Sequence, residues 1–275
     1  MPGTPYNKCM YFGSALAATL GLACVACAET PLLDTGYDQM YNLQFEQAHR
    51  TFAEYQRLHP QDPMAPVSDA AAYLFTEFDR LHILQSEFFV QDDHFYTDGK
   101  LAPDPALKAK FDAAVDRAAE LAGRTPADPN SGFATLLCHG LRSDYLALIE
   151  KRYTAAFREM KTARSLAEQL LSAHPEYYDA WIAIGVENYM LSVKPAPIRW
   201  LLRLSGGQTD RGLGIDKLRL TAEKGHYLAP FARLLLAVAA LRDRDKGKAR
   251  DLLASLAREF PKNPLYTHEL AGLSD

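Results

Sequence analysis

Four times in this chain a small residue is followed four positions later by an apolar one, three positions after that by another, and five further on by a proline. The copies are Ala48, Phe52, Tyr55, Pro60; Ala114, Ala118, Leu121, Pro126; Ala163, Ala167, Leu170, Pro175; and Ala249, Leu253, Leu256, Pro261. Residues four and three apart share one face of an α-helix, so the alanine admits a neighbouring helix while the larger side chains fill the gap beside it. Proline then ends the helix, because its ring disfavours helical geometry in the residue before it. The polar segments Gln61-Asp62-Pro63, Ala127-Asp128-Pro129 and Lys262-Asn263-Pro264 supply the turns that follow. Each copy therefore reads as the second helix of a helical hairpin.

First helices fall between these copies, and the clearest runs from Asp179 to Tyr189. Its Trp181, Ile184, Gly185 and Asn188 occupy the W-x-x-L-G-x-x-Y positions of the tetratricopeptide (TPR) repeat, with Asn188 in place of Tyr and Tyr189 next to it. Here the chain resembles that family. The resemblance implies an all-α, TPR-like right-handed superhelix of about five hairpins that binds protein partners. The expected pairs are Tyr37 to Asn42 with Phe45 to His59, Pro66 to Phe89 with Pro105 to Arg124, Ser131 to Glu150 with Tyr153 to Ala173, Tyr177 to Val193 with Gly214 to Lys224, and Leu228 to Arg242 with Lys246 to Phe260. A capping helix follows from Leu265. No alternating run bounded by hairpin turns signals a strand. One repeat domain over residues 29–275 explains the chain better than two globules, since each hairpin buries its apolar face only against its neighbours.

The segment before that domain reads as an address. Lys8 precedes an apolar stretch from Cys9 to Val25, and Ala26-Cys27-Ala28 places small residues around a cleavage point before Glu29, so residues 1–28 are expected to be a signal peptide removed on export. Three of the four cysteines, Cys9, Cys24 and Cys27, lie inside it, leaving only Cys138 in the mature chain. That usage suits an oxidising compartment, where spare thiols are a hazard. The same segment also has a reading as a lipoprotein signal, in which Cys27 or Cys24 is acylated and the protein is held at a membrane. The expected location is extracytoplasmic, in the periplasm. A net charge of -4 without long single-sign runs gives no footprint for nucleic acid, whose affinity comes from clustered Lys and Arg.

Two stretches lengthen the repeat beyond its ~34-residue period, and insertions in a solenoid collect on one face and often bind. The first, Val90 to Pro105, holds Asp92, Asp93, His94 and Asp98, oxygen and imidazole donors that suit a divalent cation. Their spacing matches neither a calcium loop nor a zinc motif, and a polar loop anchored by Phe95 and Tyr96 is the expected role. The second, Lys194 to Leu213, opens with Pro195 and Pro197 and predicts a short helix from Ile198 to Leu204 carrying Arg199 and Arg203 one turn apart. The expectation is a helix tucked into the solenoid groove; the functional reading is an interfacial helix on a membrane, or a plug that docks a partner. The run from Trp200 to Gly214, followed by the helix carrying Leu218 and Ala222, is also similar to a segment of the eukaryotic inclusion-body-clearance family of TPR proteins. That similarity implies a scaffold at a membrane surface with aggregated or lipid-associated cargo, a cytosolic role that a signal peptide does not fit. Gly206-Gly207 lacks a following Gly-Lys-Ser/Thr and a preceding strand, so it predicts a turn rather than a phosphate loop.

Catalytic spacings are absent. Cys138 and His139 are adjacent, which points them about 100° apart on a helix, and no H-E-x-x-H or G-x-S-x-G occurs. The chain is therefore expected to be a cofactor-free, non-catalytic scaffold that binds a protein partner in envelope assembly or secretion, using its concave groove and the inserted helix. Candidate contact residues are Glu187, Tyr189, Arg199, Trp200, Leu201 and Arg203. The alternatives are a metal-dependent hydrolase with its site in the 92–98 loop, and a membrane-surface adaptor using the 198–204 helix.

Overall fold

The computed structural model describes residues 30–84 and 101–273, and among these every regular element is helical. Five hairpins and a closing helix appear in the expected order. They are α1 (Thr30–Tyr41) with α2 (Phe45–Leu58), α3 (Met64–Arg80) with α4 (Pro105–Arg124), and α5 (Pro129–Asp144) with α6 (Tyr153–Ala173). Then come α7 (Trp181–Ser192) with α9 (Arg211–Lys224), separated by the short α8 (Ala196–Leu204), and α10 (Ala229–Arg242) with α11 (Lys246–Glu259). Helix α12 (Pro264–Gly272) closes the series. The chain has a TPR-like, all-α repeat fold. Helix α3 stops at Arg80, short of the expected Phe89, where His82 turns the backbone to a φ of 58°. The first insertion, with Asp92, Asp93, His94 and most of its loop, lies outside the described residues, as do Cys24, Cys27 and the whole expected signal segment.

The repeated pattern does what its spacing requires. Ala48, Ala118, Ala167 and Ala249 are fully enclosed, and Phe52, Leu121, Leu253 and Leu256 with them. After each proline-stopped helix the chain makes the same turn: the backbone N–H of Asp62, Asp128, Tyr177 and Asn263 donates to the carbonyl of His59, Thr125, His174 and Phe260 respectively. In three of the four, the Asp or Asn side chain then caps the next helix, accepting from Met64, Asn130 and Leu265 N–H groups that would otherwise be orphaned. The fourth hairpin lacks the proline after α9. There the Asp179 carboxylate accepts from the N–H groups of His226, Tyr227 and Leu228 at 3.0, 3.1 and 3.0 Å and builds the turn instead.

The first helices of the hairpins face inward and the two ends of the repeat meet. Tyr37 stacks on Tyr227 at 4.7 Å, and the Tyr41 hydroxyl donates to the Tyr227 carbonyl. Tyr41 also packs on Phe260 at 5.3 Å, and Phe75 of α3 packs on Phe231 of α10 at 5.8 Å. Asn42 accepts from the Lys262 N–H, and the Asn263 side chain donates to the Tyr41 carbonyl. One apolar core thus runs from Leu33 to Tyr266. The open concave groove expected for a peptide is replaced by a central cavity of about 90 Å³, lined by α1, α3, α5, α6, α7 and α10. A helix about 10 Å across has no room there.

Candidate interaction surface

The second insertion is where the fold departs from plain repeat packing, and it is held from below by α7. Glu187 is fully enclosed; its carboxylate accepts from the Arg164 guanidinium at 2.8 Å and from the Gln208 backbone N–H at 3.0 Å. Asn188, also enclosed, donates to the Gln208 side chain and accepts from the Asp210 N–H at 3.0 Å. Adjacent residues of one helix therefore clasp the returning chain of the loop at Gln208 and Asp210. Burial pushes the Glu187 carboxyl up, while the Gln208 N–H and the Arg164 guanidinium pull it back. Tyr189 is 1 % exposed and packs in the α7, α9 and α10 core. Glu187 and Tyr189, named above as contact residues, thus point into the protein and hold the insertion in place. Asn188 stands where the repeat has Tyr because this position bonds a loop instead of filling a gap.

The remaining motif positions pack α7 against α9. Trp181 is partly buried under the Lys217 ammonium, which lies 3.7 Å from the ring centroid, and a methyl group added at Gly185 would meet Leu218 at 3.0 Å.

Helix α8 rides on this clasp without entering the core. Its N-terminal end follows Pro195 and carries Pro197 in the first turn; its C-terminal end stops in a left-handed turn at Gly206, φ 83°. The Arg199 guanidinium donates to the carbonyls of Ser192 and Lys194, closing the end of α7. Lys161 of α6 donates to the Ser205 carbonyl at 2.6 Å, and Arg203 donates to Thr209. With its polar groups spent this way, the opposite face is apolar and open: Trp200 is 64 % exposed, Leu201 59 %, Leu204 66 % and Ile198 43 %. Pro197, Trp200, Leu201 and Leu204 stand at i, i+3, i+4 and i+7, one continuous stripe. The expectation that this helix tucks into the groove is not met: the aromatic contacts that join the two ends of the repeat leave no room inside for a helix, and four large apolar side chains are left facing solvent. Isolated exposed apolar residues are ordinary, whereas a contiguous stripe along one helix face is not.

The weaker chemical candidates are accounted for. Cys138 is enclosed, its thiol donates to the Val115 carbonyl, and burial pushes it up to about 12, so it supplies no thiolate. His139 faces away from it and pairs with Glu159 at 2.6 Å. Among the described residues no three His, Cys, Asp or Glu side chains are grouped to hold a metal, and no helix is long and apolar enough to cross a membrane.

No protein-family model and no curated protein matches this chain. Among solved structures, a thermophilic TPR protein of Thermus thermophilus is similar to it, with 18% identity over 90% of this chain and 98% of that one and a TM-score of 0.45.

Proposed function

We propose that this chain is a non-catalytic, extracytoplasmic scaffold that holds a protein partner, in envelope assembly or secretion, through the apolar stripe of α8. The observation that supports it is the outward stripe of Pro197, Trp200, Leu201 and Leu204 on a helix locked to the repeat by Glu187, Asn188 and Lys161. Tryptophan flanked by arginine is the composition of an energetic anchor at interfaces, and a preformed helix has already met much of the ordering cost of binding. The partner that suits it is an amphipathic helix or an apolar-lined groove in another protein. The export signal read from residues 1–28 supports a meeting on the outer side of the membrane.

Changing Trp200 and Leu204 together to Ala tests this reading. Both side chains are exposed, so unfolding free energy should move by no more than about 0.5 kcal/mol each, while capture of the partner from an envelope extract should fall at least tenfold. Unchanged capture by a folded double variant would overturn it. A second reading, a membrane-surface adaptor, draws on Arg203 beside the stripe and the absence of any acidic side chain on α8. Co-sedimentation with anionic vesicles, lost in the Trp200→Ala/Leu204→Ala variant, would decide for the membrane over the protein partner.

A further inference from the structure

Helix α8 carries positive charge that its surroundings leave unneutralised. From Val193 to Thr209 the chain holds Lys194, Arg199 and Arg203 and no Asp or Glu. The bonds that anchor the helix go to neutral oxygens: Arg199 to the Ser192 and Lys194 carbonyls, Arg203 to the Thr209 hydroxyl, and Lys161 of α6 to the Ser205 carbonyl. Among the described residues, none of Lys161, Arg199 and Arg203 pairs with a carboxylate. Elsewhere the chain supplies such partners: Arg80 has Glu77, Arg142 has Asp116 and Arg211 has Asp243. The two acids that border the insertion are committed, Glu187 to Arg164 and the Gln208 N–H, and Asp210 to capping α9.

The charge is also one-sided. At about 100° per residue, Arg203 stands roughly 60° round from Trp200 on one flank of the apolar stripe, and Ile198 stands roughly 60° round from Leu201 on the other. Arg203 is exposed and spends one nitrogen on Thr209, leaving the two ends of its fork without a partner among the described residues. Lys161 places a second cation at the C-terminal end of α8, where its ammonium reaches Ser205. Arg199 lies behind the stripe and closes the end of α7. A bilayer is the same on both flanks of a helix lying in it. A cation on one flank and an isoleucine on the other instead fit a single partner helix with one acidic and one apolar edge.

We infer that the partner segment seated on α8 is an acidic amphipathic helix, its apolar residues packed on Trp200, Leu201 and Leu204 and its Asp or Glu edge set against Arg203 and Lys161. This rests on the reading of the stripe as a docking surface and adds the chemistry of the occupant. A stripe from i to i+7 is only about 10 Å long, two helical turns, so apolar contact alone discriminates poorly between partners. Carboxylates on the open fork of Arg203 fix the direction in which the second helix lies and speed its encounter with the stripe.

A displayed library of helical peptides of about 14 residues, with Leu at i, i+3, i+4 and i+7 and the flanking positions randomised, is selected on the full chain and counter-selected on the Trp200→Ala/Leu204→Ala chain. Recovered peptides should carry Asp or Glu along one edge. Lys161→Gln/Arg203→Gln removes both charges and keeps a donor for each anchoring bond; it should bind the recovered peptide about tenfold more weakly, chiefly through slower association, and with less dependence on salt. The same peptide with Gln in place of its acids should bind both chains alike. Stripe-dependent peptides with neutral or basic edges, or equal binding of the acidic peptide by the Gln double variant, overturn the acidic helix and leave the stripe standing as a docking surface. Recovery of no stripe-dependent peptide overturns both, and Trp200-dependent sedimentation of the same chain with phosphatidylglycerol vesicles would then assign the stripe to a membrane.

Discussion

Asp179 is a buried carboxylate and Asp144 a partly buried one, and the chain treats them oppositely. Asp179 accepts three backbone N–H bonds and uses its charge to build the α9–α10 turn; burial raises its carboxyl, and the three N–H groups and His226 pull it back. Asp144 has burial alone, which carries it to about 7. The sign of the consequence follows. Between the unfolded carboxylate value of about 4 and the folded value of about 7, the native chain keeps a proton that the unfolded chain has lost, so stability falls as pH rises through that window. The slope from this one group approaches 1.4 kcal/mol per pH unit at most. Urea unfolding of the unmodified chain and Asp144→Asn at several pH values should therefore give curves that diverge from about pH 4 to about 7, with the Asn variant more stable at the top. Parallel curves would mean that the carboxylate is solvated. Neither residue announces this in the sequence: Asp144 is one acid among many on a helix, and what surrounds it is a wall contributed by five other helices.

At the scale of elements, the second helices were legible almost to the residue, because alanine at close contacts and a terminal proline are local signals. The turns joining first to second helices were not. Leu43, His82, Lys151 and Arg244 all adopt a left-handed backbone with φ between 57° and 60°, yet none is the glycine that usually marks such a turn. Each stands at the same place in its hairpin, and the fourth hairpin puts Gly206 there, after α8. Helix α8 therefore behaves as the detached last piece of a first helix, broken by Pro195 and Pro197. Left-handed geometry costs a side-chain-bearing residue roughly 1–2 kcal/mol, part of which returns as chain entropy when glycine replaces it. Arg244→Gly should raise stability by about 0.5–1 kcal/mol in thermal or urea unfolding, and a loss would show that the Arg244 side chain has an unrecognised role. The α7–α9 crossing makes the opposite demand. A methyl group at Gly214 would sit 2.6 Å from the Tyr189 backbone nitrogen, so Gly214→Ala should cost about 1–3 kcal/mol by forcing the helices apart. A neutral Gly214→Ala would mean that the two helices separate freely.

Over the whole molecule, sequence periodicity specified neighbours but not closure. Tyr41 meets Tyr227 and Asn263 across 186 and 222 residues, and no local spacing encodes such a pairing. An open solenoid unfolds as a chain of nearest-neighbour units, so damage at one end stays there. Here α1 contacts both its own hairpin and the turns that precede α10 and α12, and its removal should be felt at both ends. Tyr41→Ala deletes the ring that touches Phe75 and Phe260 and the hydroxyl bonded to the Tyr227 carbonyl. A loss of about 3–5 kcal/mol is expected for truncating so large a buried side chain. The diagnostic quantity is where that loss appears. Amide hydrogen exchange should show α11 and α12 losing protection together with α1 and α2, while α5 and α6 on the far side lose less. If protection falls in α1 and α2 only, the ends are not coupled, the concave face opens in solution, and a partner peptide regains a route to the interior.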